Sequence, residues 1–172
     1  MKNLLLPSLA LSLPLLAAAA APKAAPLAPA PVHCQVPCGI YGDQMRVHSM
    51  LEDVATIEKG MNLLNATGDD ALNSNQTVRW VLTKDQHAQS IQDQVAVYWL
   101  AQRIKTPKAG ASSEDVDKYH AQLELMHRIT VAAMKCKQTT DAAHCTELRR
   151  LADAFAGTYF SAEDLKHLRE HK

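Results

Sequence analysis

The sequence has few aromatic residues, little glycine and no excess of charge of either sign. Only 5% of its 172 residues are aromatic and 6 are glycine, which disfavours an all-β sandwich, because strands are rich in aromatic and β-branched residues. The 18 basic residues balance the 18 acidic ones, whereas a nucleic-acid-binding protein usually has a clear excess of lysine and arginine. Hydrophobic residues still make up 47% of the chain. We therefore expect a single small helical domain that does not bind nucleic acid.

Long apolar runs are also missing, except at the N-terminus. After Met1 and Lys2, residues 4–21 carry no charge, contain two prolines and end in a run of alanines. This pattern is typical of a secretory signal peptide, so we predict one over residues 1–21. A membrane anchor is the alternative, but the run is short and contains prolines, and we expect no stable membrane insertion. The protein is thus expected to be exported, to the periplasm or the extracellular space.

The chain after the signal peptide divides into a spacer and a helical domain. Residues 22–32 are almost entirely proline and alanine, which predicts an extended spacer or pro-segment. Beyond it, apolar residues recur at helical spacing over residues 44–65, from about 75 to 104, from 112 or 113 onward and from near 141. The spacing of Ser161 and Asp164 predicts a last short helical turn. Four amphipathic helices with short connections predict an all-α fold, an antiparallel four-helix bundle over residues 33–172.

Two features of these helices are open to structural test. On the second helix, the apolar positions predict a buried face made of Val78, Val81, Leu82, Ile91, Val95, Tyr98 and Trp99. Near the junction of the third and fourth helices, Cys136 and Cys145 predict a disulfide if the protein is exported. The alternatives are two reduced thiols, or a minor metal site that also includes His144.

The residues that carry chemistry come directly before the first helix. The segment over residues 33–41, here called the hook, reads His33-Cys34-Gln35-Val36-Pro37-Cys38-Gly39-Ile40-Tyr41. Thiolate and imidazole are ligands that soft and borderline transition metals prefer. If proteolysis made His33 the N-terminus, its amine and imidazole, the amide nitrogen and thiolate of Cys34 and the thiolate of Cys38 could bind one ion. Planar nitrogen and sulfur ligation suits Ni(II) or Cu(II), whereas a disulfide between Cys34 and Cys38 is the simpler alternative.

The order His-Cys-x-x-Pro-Cys-Gly-x-Tyr before a long helix resembles the metal-binding hook of the nickel superoxide dismutases. The similarity continues through residues 79–99, where Lys84, Gln86 and Trp99 stand in matching places, and through Lys118-Tyr119. The resemblance implies a four-helix-bundle subunit that assembles as a homohexamer. It also implies an enzyme that converts superoxide to oxygen and hydrogen peroxide while its nickel alternates between Ni(II) and Ni(III).

The resemblance assigns a role to individual residues of the hook. His33, Cys34 and Cys38 would bind one nickel ion per subunit, and Tyr41 would lie over its open face and steer or gate superoxide. Two further positions, occupied by glutamate and arginine in the family, would contact the imidazole that binds nickel. Here those positions are His48 and His87, whose complementary tautomers could relay a hydrogen bond.

Other departures from the family bear on maturation and on activity. Gln35 replaces the aspartate that the family usually has at the third hook position. Val32 is a poor residue before a signal-peptidase cleavage site, so a separate maturation protease is expected to expose His33. The alternative function is therefore a non-catalytic exported protein on the same scaffold, one that binds metal or closes a disulfide loop.

Overall fold

A computed structural model describes residues 41–170 and shows an all-α fold. Its α-helices are α1 (Asp43–Leu64), α2 (Ser74–Asp93), α3 (Ser113–Gln138), α4 (Ala143–Tyr159) and α5 (Ala162–Glu170), with a 3₁₀ turn at Gly68–Asp70. α2 continues without a break into a π-helix, Gln94–Arg103. No strand occurs in this part of the chain. The signal peptide predicted over residues 1–21, the spacer over 22–32 and residues 33–40 of the hook lie outside the described residues.

The four long helices form the predicted antiparallel bundle. α1 and α3 each pack against both α2 and α4. The start of α1 is hydrogen-bonded to the last residue of the π-helix and to the last residue of α4. At the other end of the bundle, the amide of Asn65 donates to the carbonyl of Thr140 between α3 and α4, at 2.9 Å. Neighbouring helices therefore run in opposite directions.

Side-chain caps fix where several helices begin. The backbone N–H of Asp115 donates to the hydroxyl of Ser112 at 3.1 Å, which satisfies one of the unpaired amides at the start of α3. The N–H of Asp164 donates in the same way to Ser161, at 3.2 Å, ahead of the short α5. The four long helices begin and end within about two residues of the predicted positions, where a bound was predicted. Among residues 41–170, no helix is both long and apolar enough to cross a bilayer.

The predicted buried face of α2 is wrong in its first half. Ile91, Val95, Tyr98 and Trp99 are buried as predicted, but three apolar residues are exposed: Val78, Val81 and Leu82. The stripe that faces the other helices follows Lys84, Ala88, Ile91 and Val95 instead, at spacings of three and four residues. Val78 and Leu82 point away from that stripe, because each residue of an α-helix is rotated by about 100° from the one before, whereas Val81 lies at the edge of the stripe and is 39% exposed.

A buried lysine explains why the stripe follows this path. Lys84 is 2% exposed, and its amine donates to the carbonyls of Cys136 and Lys137 at 2.6 and 2.9 Å and to the carboxylate of Asp85 at 2.8 Å. An ammonium group has three donors, so all of them are used. Lys84 thereby ties α2 to carbonyls at the C-terminal end of α3, which have no partner within the helix.

The predicted disulfide between Cys136 and Cys145 is wrong, because both residues are free thiols in the bundle core. Each side chain is fully buried, and the two thiols are hydrogen-bonded to each other. The sulfur of Cys145 also lies 3.6 Å from the sulfur of Met61 on α1. This junction is thus held by packing and hydrogen bonds. The hydrogen bond that Cys136 donates to Cys145, together with burial, raises the pKa of the Cys136 thiol.

Candidate functional site

Three of the predicted site residues lie in the described part of the chain: Tyr41, His48 and His87. The predicted ligands His33, Cys34 and Cys38 precede it, as does Gln35. Within residues 41–170, no group of three or more histidine, cysteine or acidic side chains is placed to hold a metal ion.

Directly after the hook, one carboxylate joins three elements of the bundle. Asp43, the first residue of α1, accepts hydrogen bonds from the hydroxyls of Tyr98 and Tyr159 at 2.5 and 2.8 Å. Arg103 adds two more from its Nε and Nη2 atoms, at 2.8 and 2.5 Å. We call Asp43, Tyr98, Arg103 and Tyr159 the Asp43 cluster. Its members come from the start of α1, the π-helix and the end of α4.

The π-helix is what allows Tyr98 and Arg103 to reach the same carboxylate. In an α-helix, residues five positions apart are rotated by roughly 140° from each other and face different directions. In a π-helix the hydrogen bonds join residues five positions apart, so such residues lie on nearly the same face. The N–H of Ile104 donates to the carbonyl of Trp99 at 2.8 Å in this pattern. The local change of helix type therefore builds the Asp43 cluster.

The cluster keeps its carboxylate ionised and its phenols protonated. Burial alone would raise the pKa of Asp43, but hydrogen bonds from Arg103, Tyr98 and Tyr159 outweigh burial and hold that pKa below its usual value. Burial and the hydrogen bond to Asp43 raise the pKa of Tyr159 to about 12 and that of Tyr98 further still. At neutral pH both phenols therefore remain hydrogen-bond donors.

Tyr41, the last residue of the hook, packs against this cluster. The guanidinium carbon of Arg103 lies 4.1 Å from the centre of the Tyr41 ring, within the range of a cation–π contact. The ring of Tyr98 meets Tyr41 edge to face, with 6.0 Å between the ring centres. The side chain of Tyr41 is still 41% exposed. One part of the ring is thus held by the bundle, while the rest is exposed.

Most of the few aromatic residues gather at this end of the bundle. Trp99 is fully buried and lies edge to face against Tyr98, Phe155 and Tyr159, with ring centres 4.8–5.1 Å apart. With Tyr41 and Phe160, six of the eight aromatic residues of the chain belong to one contiguous group. Such contacts stabilise beyond the burial of area, so the end that carries the hook has a rigid base.

Within the described residues, His87 is paired with a carboxylate on α1. Its Nδ1 atom lies 2.6 Å from a carboxylate oxygen of Asp53 on α1, and the hydroxyl of Ser90 donates to the other oxygen at 2.8 Å. Asp53 is 8% exposed, so this pairing is mostly shielded from water. His48 forms no hydrogen bond within residues 41–170, and no relay between His48 and His87 is formed there. The carboxylate instead fixes the orientation of the His87 ring.

A surface groove connects the two regions. It has a volume of about 510 Å³ and lies between α1 and the α2/π-helix. Tyr98 of the Asp43 cluster lines it, and so does Ser90, which shares Asp53 with His87. Arg46 also lines it and stacks over the Tyr98 ring, with its guanidinium carbon 4.9 Å from the ring centre.

The sequence pattern did not predict a role for most of these residues. Asp43 stands just before the predicted start of the first helix, Tyr98 and Trp99 were predicted only as core residues, and Asp53, Arg103 and Tyr159 belong to no motif. Their roles depend on which helix ends meet in space. The available signal was weak: an acidic residue in the first turn of α1, where the helix dipole favours negative charge.

Comparison with known proteins identifies one family. A family model described as nickel-containing superoxide dismutase matches residues 27–163, which is about four fifths of the chain. The matched range includes the whole hook and α1 to α4. No curated protein and no solved structure gives a significant match.

Proposed function

Because the chain belongs to the nickel-containing superoxide dismutase family, we propose that it disproportionates superoxide at a nickel ion held by the hook. Family membership itself makes the protein a superoxide dismutase, an oxidoreductase with nickel as its cofactor. The proposal adds the residues: His33, Cys34 and Cys38 would hold the nickel ion, and Tyr41 would steer or gate superoxide.

The residues of the hook fit the chemistry of nickel. Two thiolates and an imidazole within six residues form a nitrogen and sulfur donor set, which suits a square-planar Ni(II) ion. Bound nickel would supply one-electron exchange between Ni(II) and Ni(III). A free amine at His33 would complete the set, so we propose that a maturation protease removes residues 1–32 during export to the periplasm or the extracellular space.

The fixed position of Tyr41 is the main support from the structure. Tyr41 follows Cys38 by three residues, and Arg103 and Tyr98 hold its ring against the bundle. Its partly exposed phenol can donate a hydrogen bond to an anion that approaches the hook. Superoxide is such an anion, and conversion to peroxide consumes protons, so a positioned hydroxyl group is useful for orienting substrate.

His87 and His48 would act on the ligating imidazole from the bundle. With Nδ1 of His87 bonded to Asp53, its Nε2 atom is left to accept a hydrogen bond from the hook. A partner of this kind sets the orientation and basicity of a ligating histidine. We propose the same kind of contact for His48, one turn and a half from the start of α1. Assembly into a homohexamer is a further part of the proposal.

Substitution of the hook cysteines tests the proposed metal site. In Cys34→Ser and in Cys38→Ser, bound nickel should fall from about one per chain to near zero, because serine is a poor ligand for nickel. Superoxide turnover should fall to background, while the helical circular dichroism remains. Cys136→Ala, which removes a thiol from the core, is the matched control and should keep both nickel and turnover.

Two results would count against the proposal. Unchanged nickel content in either serine variant would exclude the hook as the metal site. Full nickel content without superoxide turnover in the wild-type chain would favour the non-catalytic metal-binding protein instead.

A further inference from the structure

We infer that Asp43 is a positioning residue for the dismutase reaction: it holds Arg103 over the Tyr41 ring and so fixes the tyrosine at the end of the hook. The inference deepens the proposed function and rests on it for the role of Tyr41. It assigns a task to Asp43 and Arg103, which belong to no recognised part of the hook.

Hydrogen bonds from several directions hold the Asp43 carboxylate in place. Its side chain is 15% exposed and accepts hydrogen bonds from two phenols and one guanidinium group. These donors belong to the ends of two separate elements, the π-helix and α4. Since the donors are tied to different elements, the carboxylate cannot move without breaking contacts in more than one direction.

Asp43 in turn fixes the position of the Arg103 guanidinium group. Its Nε and Nη2 atoms donate to both oxygens of Asp43, in the two-point arrangement that only a guanidinium group provides. That pairing sets the plane of the group, and its central carbon lies over the Tyr41 ring, 4.1 Å from the ring centre. A lysine would keep the positive charge and lose both the two-point bond and the flat contact surface.

The side chains that contact the Tyr41 ring both depend on Asp43. In the part of the chain described, this ring makes two aromatic or cationic contacts, with Arg103 and with Tyr98. Both of these partners are hydrogen-bonded to Asp43. A single carboxylate thus controls both side chains that hold the tyrosine, and Asp43 stands only two residues after it in the chain.

The test compares Arg103→Lys and Asp43→Asn with the wild-type chain by two readouts. The first is the NMR spectrum of the Tyr41 ring in the nickel-free full-length protein, assigned by its loss in Tyr41→Phe. Both variants should move these signals toward the values of an exposed, mobile tyrosine. The second readout is superoxide turnover per bound nickel, which should fall about threefold in Arg103→Lys, while nickel content is unchanged.

Glu58→Gln is the matched control. Glu58 also forms a two-point pair with an arginine, Arg149, at 2.7 and 3.0 Å, but between α1 and α4 at another position in the bundle. This variant should leave the Tyr41 signals and the turnover unchanged. A variant that is too unstable to study is replaced by Tyr98→Phe, which removes one hydrogen bond from Asp43 and keeps the ring that contacts Tyr41.

The outcomes separate this inference from the proposed function. Tyr41 signals that stay at wild-type values in both Arg103→Lys and Asp43→Asn would overturn the inference. The same shift in Glu58→Gln would overturn it too, because general destabilisation would then explain the effect. If the signals move but Tyr41→Phe has full turnover, the positioning role stands and the proposed role of Tyr41 fails.

Discussion

The carboxylate of Asp43 accepts hydrogen bonds from three side chains, although Asp43 belongs to no sequence motif. A carboxylate with a pKa below its usual value contributes stability above the pKa of the unfolded chain, near 3.9. That contribution disappears as the pH falls through the lowered pKa of the folded state. The stability of the bundle in acid should therefore depend on this residue.

Asp43→Asn should lower the free energy of unfolding by about 2–4 kcal/mol at neutral pH, since it leaves a half-buried arginine without its anion. The difference between wild type and variant should shrink from about pH 5 to about pH 2, as the wild-type carboxylate becomes protonated. Urea denaturation at a series of pH values measures this difference in the free energy of unfolding. The exposed Asp153→Asn is the control, and a difference that stays constant down to pH 2 would contradict the account.

Tyr41→Phe tests the hydroxyl group apart from the ring. The phenyl ring keeps its contacts with Arg103 and Tyr98, so nickel content should remain near that of the wild type. Superoxide turnover should fall but not be lost, because no hydroxyl group is left to orient the approaching anion. Loss of nickel in this variant would mean that the hydroxyl group is structural.

Arg46 offers a test of electrostatic steering. It stacks over Tyr98, next to Tyr41, and no carboxylate among residues 41–170 forms an ion pair with it. Arg46→Gln should lower kcat/KM for superoxide about twofold at low salt, and the effect should vanish at about 0.5 M salt as charges are screened. The exposed Lys135→Gln at the far end of α3 should show no such dependence. An effect of Arg46→Gln that does not change with salt would point to packing.

At the scale of helices, the sequence pattern predicts most of the architecture and misses its exceptions. Apolar spacing and serine caps give the helix bounds, because a regular helix repeats every 3.6 residues. The π-helix could not be predicted in this way, because a change of helix type over ten residues leaves no distinct apolar pattern. The Asp43 cluster could not be predicted for the same reason, because Tyr98 and Arg103 lie on the same face only in a π-helix.

Lys84 shows how a charged residue can decide which face of a helix is buried. Apolar spacing assigned Val78, Val81 and Leu82 to the core, yet the helix turns Lys84 inward instead. The reason is not local: the lysine satisfies carbonyls of α3 that are more than 50 residues away in the chain. Such a gain depends on tertiary contacts that periodicity does not contain.

Lys84→Met should lower the free energy of unfolding by about 2–3 kcal/mol, because two buried carbonyls lose their donor while the side-chain volume is kept. Chemical denaturation measures the change. Lys59→Met on α1 is the control, since that lysine is exposed and its amine lies 5.7 Å from the Trp80 ring. Equal stability of the Lys84 variant and wild type would show that packing alone sets this face of α2.

At the scale of the whole molecule, the bundle places its aromatic base and the Asp43 cluster at the end where the hook joins α1. The hook motif was recognisable from the sequence, because nine ordered positions seldom coincide by chance. The Asp43 cluster beside Tyr41 was not, because it combines residues from α1, the π-helix and α4. The free thiols Cys136 and Cys145 make the same point: their separation in sequence is compatible with a disulfide, whereas their environment in the core is not determined by spacing.

The measurement that tests the account most directly is the native intact mass of the protein purified from its own host. The account predicts a chain that starts at His33 and carries one nickel ion per subunit, within a homo-oligomer. It also predicts that superoxide turnover follows the nickel content of the preparation. A metal-free chain that starts near Pro22, with Cys34 and Cys38 oxidised to a disulfide, would contradict it.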